Sequence, residues 1–243
     1  MGQPVLEHFA QSGLAHQLKE RTVARIGVGR AGTRPTTASL LGFRMDHAAA
    51  CDAVREALDP DFPRQLGCTM ELRTQARDRD EYLLRPALGR LLRPEDRTWL
   101  NRSVRGCDVL VAVGDGLSSA AVKAQAPRLV PALLQALRDE GISAVAGPVF
   151  VHGARVGVMN DLGEATQARA VALLVGERPG LSTAESLSVY MGFEPREGKS
   201  DADRNLLSNI HATGIPPEEA ARTAASWIAA MLRQGLSGVA FKP

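Results

Sequence analysis

Apolar runs and amphipathic segments alternate along the second part of the chain, from residue 107 onward. The run Val171 to Val175 is apolar at every position, which is typical of a strand that helices cover on both faces of a parallel or mixed sheet. The same reasoning predicts strands at 107–114, 145–151, 155–159 and 188–193, a strand or extended tail at 238–242, and helices at 120–138, from Asn160 or Asp161 to 168, and at 216–234. Residues 152–154 are expected to form a hairpin turn.

This alternation predicts an α/β fold. We expect a mixed, largely parallel sheet flanked by helices in a Rossmann-like layering, preceded by a helical N-terminal region. No clear linker separates the two parts. A provisional division near residue 104 gives an N-terminal helical region and arm, residues 1–104, and an α/β domain, residues 105–243.

The N-terminal region has a weaker pattern. Residues 2–20 predict an amphipathic helix, and residues 21–36, rich in glycine and arginine, predict an irregular arm. Because the arm has no aromatic residue for base stacking, docking on a neighbouring chain is favoured over anion binding. Thr36 or Thr37 can cap the next helix, and a short strand is expected at 68–72, before short helical pieces. The capped helix carries an apolar stripe at steps of three and four: Leu40, Phe43, His47, Cys51, Val54 and Leu58.

Two polar turns flank the later strands. Residues 176–180 place a charged pair between glycines and a proline directly after the run at 171–175, and residues 201–211 are dense in short polar side chains. Open α/β sheets bind ligands where the carboxyl ends of their strands emerge. We therefore expect both turns to face one crevice, which is the predicted functional site.

Composition narrows the class of protein. The 243 residues carry a net charge of +2, from 29 basic and 27 acidic residues, and this balance disfavours a nucleic-acid or membrane-surface partner. Three widely spaced cysteines favour a reducing compartment over a disulfide framework. No apolar run approaches the roughly 18 to 20 residues that span a bilayer, and the start of the chain lacks a signal pattern. A cytoplasmic protein is expected.

Familiar catalytic and metal motifs find little support. Gly114-Asp115-Gly116 follows a strand and opens a helix, but the third glycine of a dinucleotide fingerprint is replaced by Ser119. At that turn Asp115 as a helix cap is favoured over a phosphate site. His47 and Cys51 lie one helical turn apart, but without further ligands at suitable spacing a packed or hydrogen-bonded histidine is favoured over a metal ligand. We predict neither a catalytic residue nor a metal ligand.

The segment Asn209 to Gly214 approximates the Asp-x-His-x-x-Gly pattern of some cobalamin modules. Asn209 stands where the aspartate that orients the histidine should be, so the match is incomplete. An ordinary loop histidine is favoured for His211. A stand-alone cobalamin carrier that uses His211 and a nucleotide-binding oxidoreductase that uses 114–119 remain as alternative functions.

A set of segments in a fixed order resembles one family. ARIGVGRAG, FRMDHAAACDAVREALD, DRDEYLLRPALGRLL, VGDGLS, VGERPGLS and DADRNLLSNI are similar to the small subunit of ethanolamine ammonia-lyase over roughly residues 22–242. The resemblance implies an adenosylcobalamin-dependent enzyme that converts ethanolamine to acetaldehyde and ammonia by radical chemistry. It also implies an active-site barrel in a separate large subunit, so this chain would be non-catalytic on its own. A location in a bacterial microcompartment is left open.

The family resemblance also supplies candidate cofactor contacts. It implies that Val156 in the expected hairpin, Glu177 after the central strand and Leu206 in RNLLSNI contact a cobalamin held between the subunits. The resemblance also implies that this cobalamin keeps its own base on cobalt, so His211 is not expected to be a ligand. Leu206 replaces the family's usual cysteine, and residues 158–161 also depart from the family pattern. For Glu177 a cofactor contact is favoured over an ion pair with Arg178 or another neighbour, because glycines near it allow close approach.

Overall fold

The computed structural model describes residues 13–22 and 24–242. The helices are α1 (Gly13–Arg21), α2 (Thr37–Arg55), α3 (Phe62–Gln65), α4 (Arg79–Leu84), α5 (Pro94–Ser103), α6 (Ser119–Asp139), α7 (Val158–Thr166) and α8 (Pro217–Gln234). The strands are β1 (Arg30–Ala31), β2 (Arg34–Pro35), β3 (Met70–Arg73), β4 (Val109–Gly114), β5 (Val145–His152), β6 (Ala170–Gly176), β7 (Leu187–Phe193) and β8 (Arg204–Ile210). Short 3₁₀ turns lie at Leu88–Arg90, Asp201–Asp203 and Gly238–Ala240.

One six-stranded sheet organises the chain, in the order β3-β5-β4-β6-β7-β8. The first four strands in that order are parallel, and β7 and β8 are each antiparallel to the preceding strand. Every residue of β4 and of β6 is buried, as expected for central strands with helices on both faces. The mixed, largely parallel α/β fold is therefore confirmed.

Helices cover both faces of the sheet. Alternate residues of β4 point to opposite sides: Val109, Val111 and Val113 pack with α6 and α8, whereas Leu110 and Ala112 pack with α5 and α7. Two hydrophobic cores result, one on each face. In the described chain no helix is long and apolar enough to cross a membrane.

The connections after β4 and β5 leave the sheet on opposite faces. From β4 the chain enters α6 on one face, and from the neighbouring β5 it enters α7 on the other. Adjacent parallel strands whose connections diverge leave a crevice at their carboxyl ends. This edge of the sheet holds the site described below.

The region before residue 104 contributes a strand and core residues to the same sheet. Strand β3 pairs with β5, and Leu72, Leu92 and Leu100 belong to the core beneath α7. Within the arm, β1 and β2 form a small hairpin. The predicted first helix is present as α1, and its residues 2–12 lie outside the described chain. The division near residue 104 stays a prediction.

Three local predictions were wrong. Residues 152–154 do not join a hairpin and 155–159 is not a strand, because β5 is followed by a turn and by α7, which begins at Val158. Its buried Val158, Met159 and Leu162 have helical spacing. The polar segment 201–211 is a 3₁₀ turn followed by edge strand β8, in which Leu207 and Ile210 point inward while the exposed side chains are mostly polar. The chain end forms a 3₁₀ turn rather than a strand.

Candidate functional site

A cleft of about 330 Å³ lies at the edge where β4, β5 and β6 end. Its lining comes from both sides of this edge: Tyr82, Gly116, Leu117, Ala154, Arg155, Val156, Val175, Gly176, Glu177, Arg178, Ser188, Tyr190, Leu206 and Ser208. The cleft thus contains all three residues that the family resemblance implied, Val156, Glu177 and Leu206. They come from three different elements, separated by 21 and 29 residues in the chain.

Val156 lies in the turn between β5 and α7. The side chain is half-buried and packs against the core under α7. The turn is fixed at both ends, because Arg155 N donates to Gly89 O at 2.7 Å and Met159 N donates to Val156 O at 3.2 Å. Val156 therefore offers a small, held apolar surface to the cleft.

Glu177 follows the last residue of β6. Its Oε1 accepts hydrogen bonds from Ser188 Oγ at 2.6 Å and from Asn209 N at 2.9 Å. The carboxylate thereby joins β6, β7 and the end of β8. The alternative of an ion pair with Arg178 is wrong, and Oε2 accepts no hydrogen bond from the described residues. One oxygen is structural and the other is available at the cleft.

Leu206 is in the middle of β8, opposite Tyr190 of β7. The side chain is 42% exposed, so it forms an apolar outer wall beside the phenol ring. Burial raises the pKa of Tyr190, and the nearby carboxylates of Glu177 and Asp201 raise it further. Tyr190 is therefore a neutral hydrogen-bonding group on this wall.

The floor of the cleft is formed by Gly116 and Leu117, in the turn from Asp115 to Ser118. Both carboxylate oxygens of Asp115 accept backbone hydrogen bonds, from Gly153 N and Ala154 N at 3.1 Å each. Burial raises the pKa of Asp115, while these two bonds and Arg79 oppose the rise. Asp115 thus ties the end of β4 to the turn after β5.

The prediction that Asp115 caps the following helix was wrong. Ser118 caps α6 by accepting from Ala121 N at 3.1 Å, and its hydroxyl donates to Ala184 O at 2.6 Å. The turn is longer than the sequence reading assumed, so Asp115 is three residues too early to cap the helix.

Two glycines let the turns after β4 and β6 touch through their backbones. Gly116 has φ +60°, and a Cβ there would lie 2.4 Å from Gly176 O. A Cβ at Gly176 would lie 2.1 Å from Ser118 O. Leu117 N donates to Gly176 O at 3.0 Å. Because any larger residue would part these turns, the floor requires glycine at both positions.

Tyr82 on α4 is among the lining residues that the sequence did not indicate. Its hydroxyl donates to Ala154 O at 3.0 Å, and burial raises its pKa to about 12. The ring lies between two guanidinium groups, with Arg155 at 4.1 Å and Arg79 at 4.7 Å from its centroid. In the sequence Tyr82 stands among charged residues, between Glu81 and Arg85. Nothing in that pattern marks it as a support of the turn after β5.

Neither His211 nor His47 has the surroundings of a metal ligand among the described residues. His211 is buried, with Nε2 2.6 Å from Asn209 Oδ1 and Nδ1 accepting from Thr213 N at 3.3 Å. Both ring nitrogens are therefore used. His47 is exposed rather than packed, 3.8 Å from Cys51 Sγ. Within the described residues no three His, Cys, Asp or Glu side chains group as metal ligands would.

Comparison with known proteins identifies the family. A family model described as ethanolamine ammonia-lyase light chain (EutC) matches residues 13–242. The chain belongs to the ethanolamine ammonia-lyase light-chain family. This finding confirms the resemblance drawn from the ordered motifs.

Several curated relatives carry the name ethanolamine ammonia-lyase small subunit. The protein of Clostridioides difficile strain 630 is 44% identical over 227 residues, covering 93% of this chain and 76% of the relative. That of Rhodopseudomonas palustris strain BisA53 is 44% identical over 231 residues, covering 93% of this chain and 88% of the relative. That of Lachnoclostridium phytofermentans is 41% identical over 239 residues, covering 98% and 80%. The similarity therefore extends over the sheet and the cleft alike.

A second, more polar cleft of about 1130 Å³ lies between α5, α7 and residues 197–204. It is larger, but its charged groups are mostly paired with one another. Arg97 forms ion pairs with Asp161 at 3.2 Å and Glu164 at 3.1 Å, and Arg204 donates hydrogen bonds to Asp201 and Asn160. The Nε atoms of both arginines are buried without a hydrogen-bond partner among the described residues. None of the three residues implied by the family lines it. The smaller cleft is therefore the candidate site of this light-chain family member.

Proposed function

We propose that the chain is the small subunit of an adenosylcobalamin-dependent ethanolamine ammonia-lyase, which converts ethanolamine to acetaldehyde and ammonia together with a large subunit. In this proposal the cleft receives one edge of the cobalamin at the interface between the subunits. The observation that carries it is the meeting of Val156, Glu177 and Leu206, from three separate elements, in one cleft. The name small subunit, printed for the relatives, supports a larger partner.

The residues of the cleft fit a bulky cofactor that carries many amide groups. Glu177 Oε2 can accept from an amide N–H, and Val156 and Leu206 offer apolar contact. Arg155 also lines the cleft, and its Nε is buried without a hydrogen-bond partner among the described residues. The cleft thus has an unused acceptor, Glu177 Oε2, beside apolar surface. When bound, the cofactor supplies the radical chemistry, while these residues hold and orient it.

Size favours a shared site over a site within this chain. Clefts that enclose drug-sized ligands have volumes of about 300 to 1,000 Å³, and this cleft, at about 330 Å³, is at the lower limit. Adenosylcobalamin is larger than a drug-sized molecule. The cleft therefore takes an edge of the cofactor, and a second protein surface covers the remainder.

The state of His211 supports base-on binding. Its nitrogens are engaged by Asn209 and Thr213, and its side chain is buried outside the cleft. Replacing the cofactor's own base would require breaking these bonds. A stand-alone carrier that ligates cobalt through His211 is thus disfavoured. The turn at 114–119 also gives no room to a dinucleotide, because Gly176 lies against Gly116.

In this proposal the chain binds and positions the cofactor, and the barrel of the large subunit carries out the reaction. The titratable groups of the cleft support a binding role. Tyr82 donates to Ala154 O, Glu177 links three strands, and Asp115 lies buried below the floor. These groups are held by structural hydrogen bonds rather than poised to exchange protons with a substrate.

Reconstitution tests the proposal. The chain, a large subunit from a family relative and their mixture would each be titrated with adenosylcobalamin and assayed with ethanolamine. We expect tight binding and release of acetaldehyde by the mixture, with no turnover by the chain alone. Turnover by the isolated chain, or a mixture that binds no cobalamin, would refute the proposed role.

A further inference from the structure

Helix α2 exposes the face that its sequence pattern marks as a packing face. The stripe Leu40, Phe43, His47 and Cys51, hereafter the α2 stripe, points to solvent, with Leu40 44% and Phe43 42% exposed. The neighbouring Leu41 and Met45 are 54% and 72% exposed. The amphipathic pattern is therefore real, but the described chain does not cover it.

The opposite face of α2 carries small residues toward the body. Gly42 and Ala50 are half-buried and Ala53 is buried. At its C-terminal end the helix is held to the body, where Arg79 Nε donates to Val54 O at 2.7 Å and Lys123 lies 3.9 Å from Glu56. A helix of 19 residues is about 28 Å long. The N-terminal part of the α2 stripe thus extends along the surface away from this attachment.

An apolar stripe of this kind marks a surface for another protein. Single exposed leucines are common on any protein, but adjacent large apolar side chains along one helix are not. Half of the large hydrophobic side chains that are exposed in the described chain lie between residues 14 and 45: Leu14, Val28, Leu40, Leu41, Phe43 and Met45. A helix laid into an apolar groove uses side chains spaced as the α2 stripe is.

Charge indicates which partner is suitable. Residues 13–55 contain seven basic and three acidic residues, whereas the whole chain is only +2. Arg30, Arg34 and Arg44 form no ion pair with the described residues. Two copies that met through this segment would bring these cations together, which is unfavourable. An apolar groove bordered by carboxylates is complementary to it.

The attachment of α2 also links its C-terminal end to the candidate cleft. Besides Val54 O, the guanidinium of Arg79 donates from Nη1 to Gly116 O at 2.7 Å. Gly116 belongs to the floor of the candidate cleft. One side chain therefore connects the end of α2 to that floor. A large protein that covers α2 along its length to this end therefore reaches the cleft.

We infer that the α2 stripe docks into an apolar groove bordered by carboxylates on the large subunit, and so places that subunit over the cleft. This inference rests on the proposed function, because it takes the large subunit as the partner. It assigns the docking to α2 itself, Thr37–Arg55. The basic residues before and within α2 add electrostatic attraction.

The test compares two double variants of the full chain in binding to the large subunit. Leu40→Glu with Phe43→Glu places two carboxylates on the α2 stripe. The matched control, Leu84→Glu with Val239→Glu, makes the same charge change at side chains that are 82% and 88% exposed elsewhere. We expect the first variant to bind at least about 30-fold more weakly and the control to bind like the wild type. Wild-type binding should also weaken at high salt.

Circular dichroism and thermal melting check that each variant is folded, and Leu40→Gln, a milder change, should give a smaller loss in the same direction. Equal binding by wild type, stripe variant and control would overturn the inference and leave the proposed function standing. Absence of binding by the wild type would instead refute the proposed function and with it this inference. A wild-type homodimer that the stripe variant disrupts, with unchanged affinity for the large subunit, would assign the stripe to a second copy and overturn the inference.

Discussion

The floor and the rim of the cleft are built in different ways. The floor consists of backbone contacts and buried hydrogen bonds, with Gly116 against Gly176 and Asp115 bonded to the turn after β5. The rim consists of Val156, Glu177 and Leu206, whose side chains are half-buried or exposed. The difference teaches that changes in the floor should affect stability, whereas changes in the rim should affect the ligand.

The largest effect is expected from Gly176→Ala. The added Cβ would lie 2.1 Å from Ser118 O, so the turns after β4 and β6 must move apart. We expect a loss of about 3 kcal/mol in the free energy of unfolding, measured by urea denaturation. Gly180→Ala is the matched control, because its Cβ has only Thr183 O near it, at 3.6 Å. Equal stability of the two variants would show that the floor is not rigid.

Glu177 provides the corresponding test of the rim. Glu177→Ala removes an acceptor, and in the reconstituted complex we expect cobalamin affinity to fall about five- to 150-fold, equivalent to 1 to 3 kcal/mol. Turnover at saturating cofactor should be nearly normal. The variant also loses the bonds from Ser188 and Asn209, so a stability loss of about 1 kcal/mol is expected.

Glu177→Gln separates the two functions of this side chain. Glutamine keeps one oxygen for Ser188 and Asn209 but replaces Oε2 by an NH₂ donor. We expect stability close to wild type together with weakened cobalamin binding. If Glu177→Ala abolished subunit assembly while leaving cofactor affinity unchanged, Glu177 would be purely structural.

Tyr82→Phe should lower the stability of the fold, as changes in the floor do, but by less than Gly176→Ala. It removes the hydrogen bond to Ala154 O but keeps the ring between the two arginines, so a loss of about 1 kcal/mol is expected. The folded pKa of about 12 is above the ordinary value of 10.0. The stability contributed by the hydroxyl is therefore complete below pH 10.0 and is lost as the pH rises toward about 12. Urea denaturation of both proteins across this alkaline range checks it, since the wild type should approach the variant.

The smallest effect on the ligand is expected from His211→Ala. Because Asn209 and Thr213 occupy its ring nitrogens, the variant should leave the absorbance spectrum of bound cobalamin unchanged. A spectrum that shifts toward a different lower ligand would show that His211 moves to cobalt on binding. Asn209→Ala, which releases Nε2, serves as a control for that movement.

Local sequence signals predicted the regular parts of the fold well. The uniformly apolar run became β6, and Gly235 ends α8 in a left-handed conformation with φ 69°. Thr36 caps α2 as expected. These features depend on neighbours in the chain, which a sequence pattern records directly.

Long-range features were predicted less well. Asp115 was predicted to cap a helix because only its neighbours in the chain were visible. Its actual partners, Gly153 and Ala154, lie 38 and 39 residues away in the sequence. Tyr82 reaches Ala154 over 72 residues. The α2 stripe was correctly located on a helix, but the pattern could not state that its packing partner is absent from the described chain. Val156, Glu177 and Leu206 came from family resemblance, and their common location required the fold.

The outer strand β8 leaves one edge of the sheet without a neighbouring strand. An edge strand offers unpaired backbone groups to any extended chain and is a common route to aggregation. Here Gly238 exchanges hydrogen bonds with the side chain of Asn205, and Ile215 N donates to Asn209 O at 2.9 Å. Asn209 itself bends the strand with φ 63°. Both ends of the edge are thus obstructed, which protects the sheet from addition of a seventh strand.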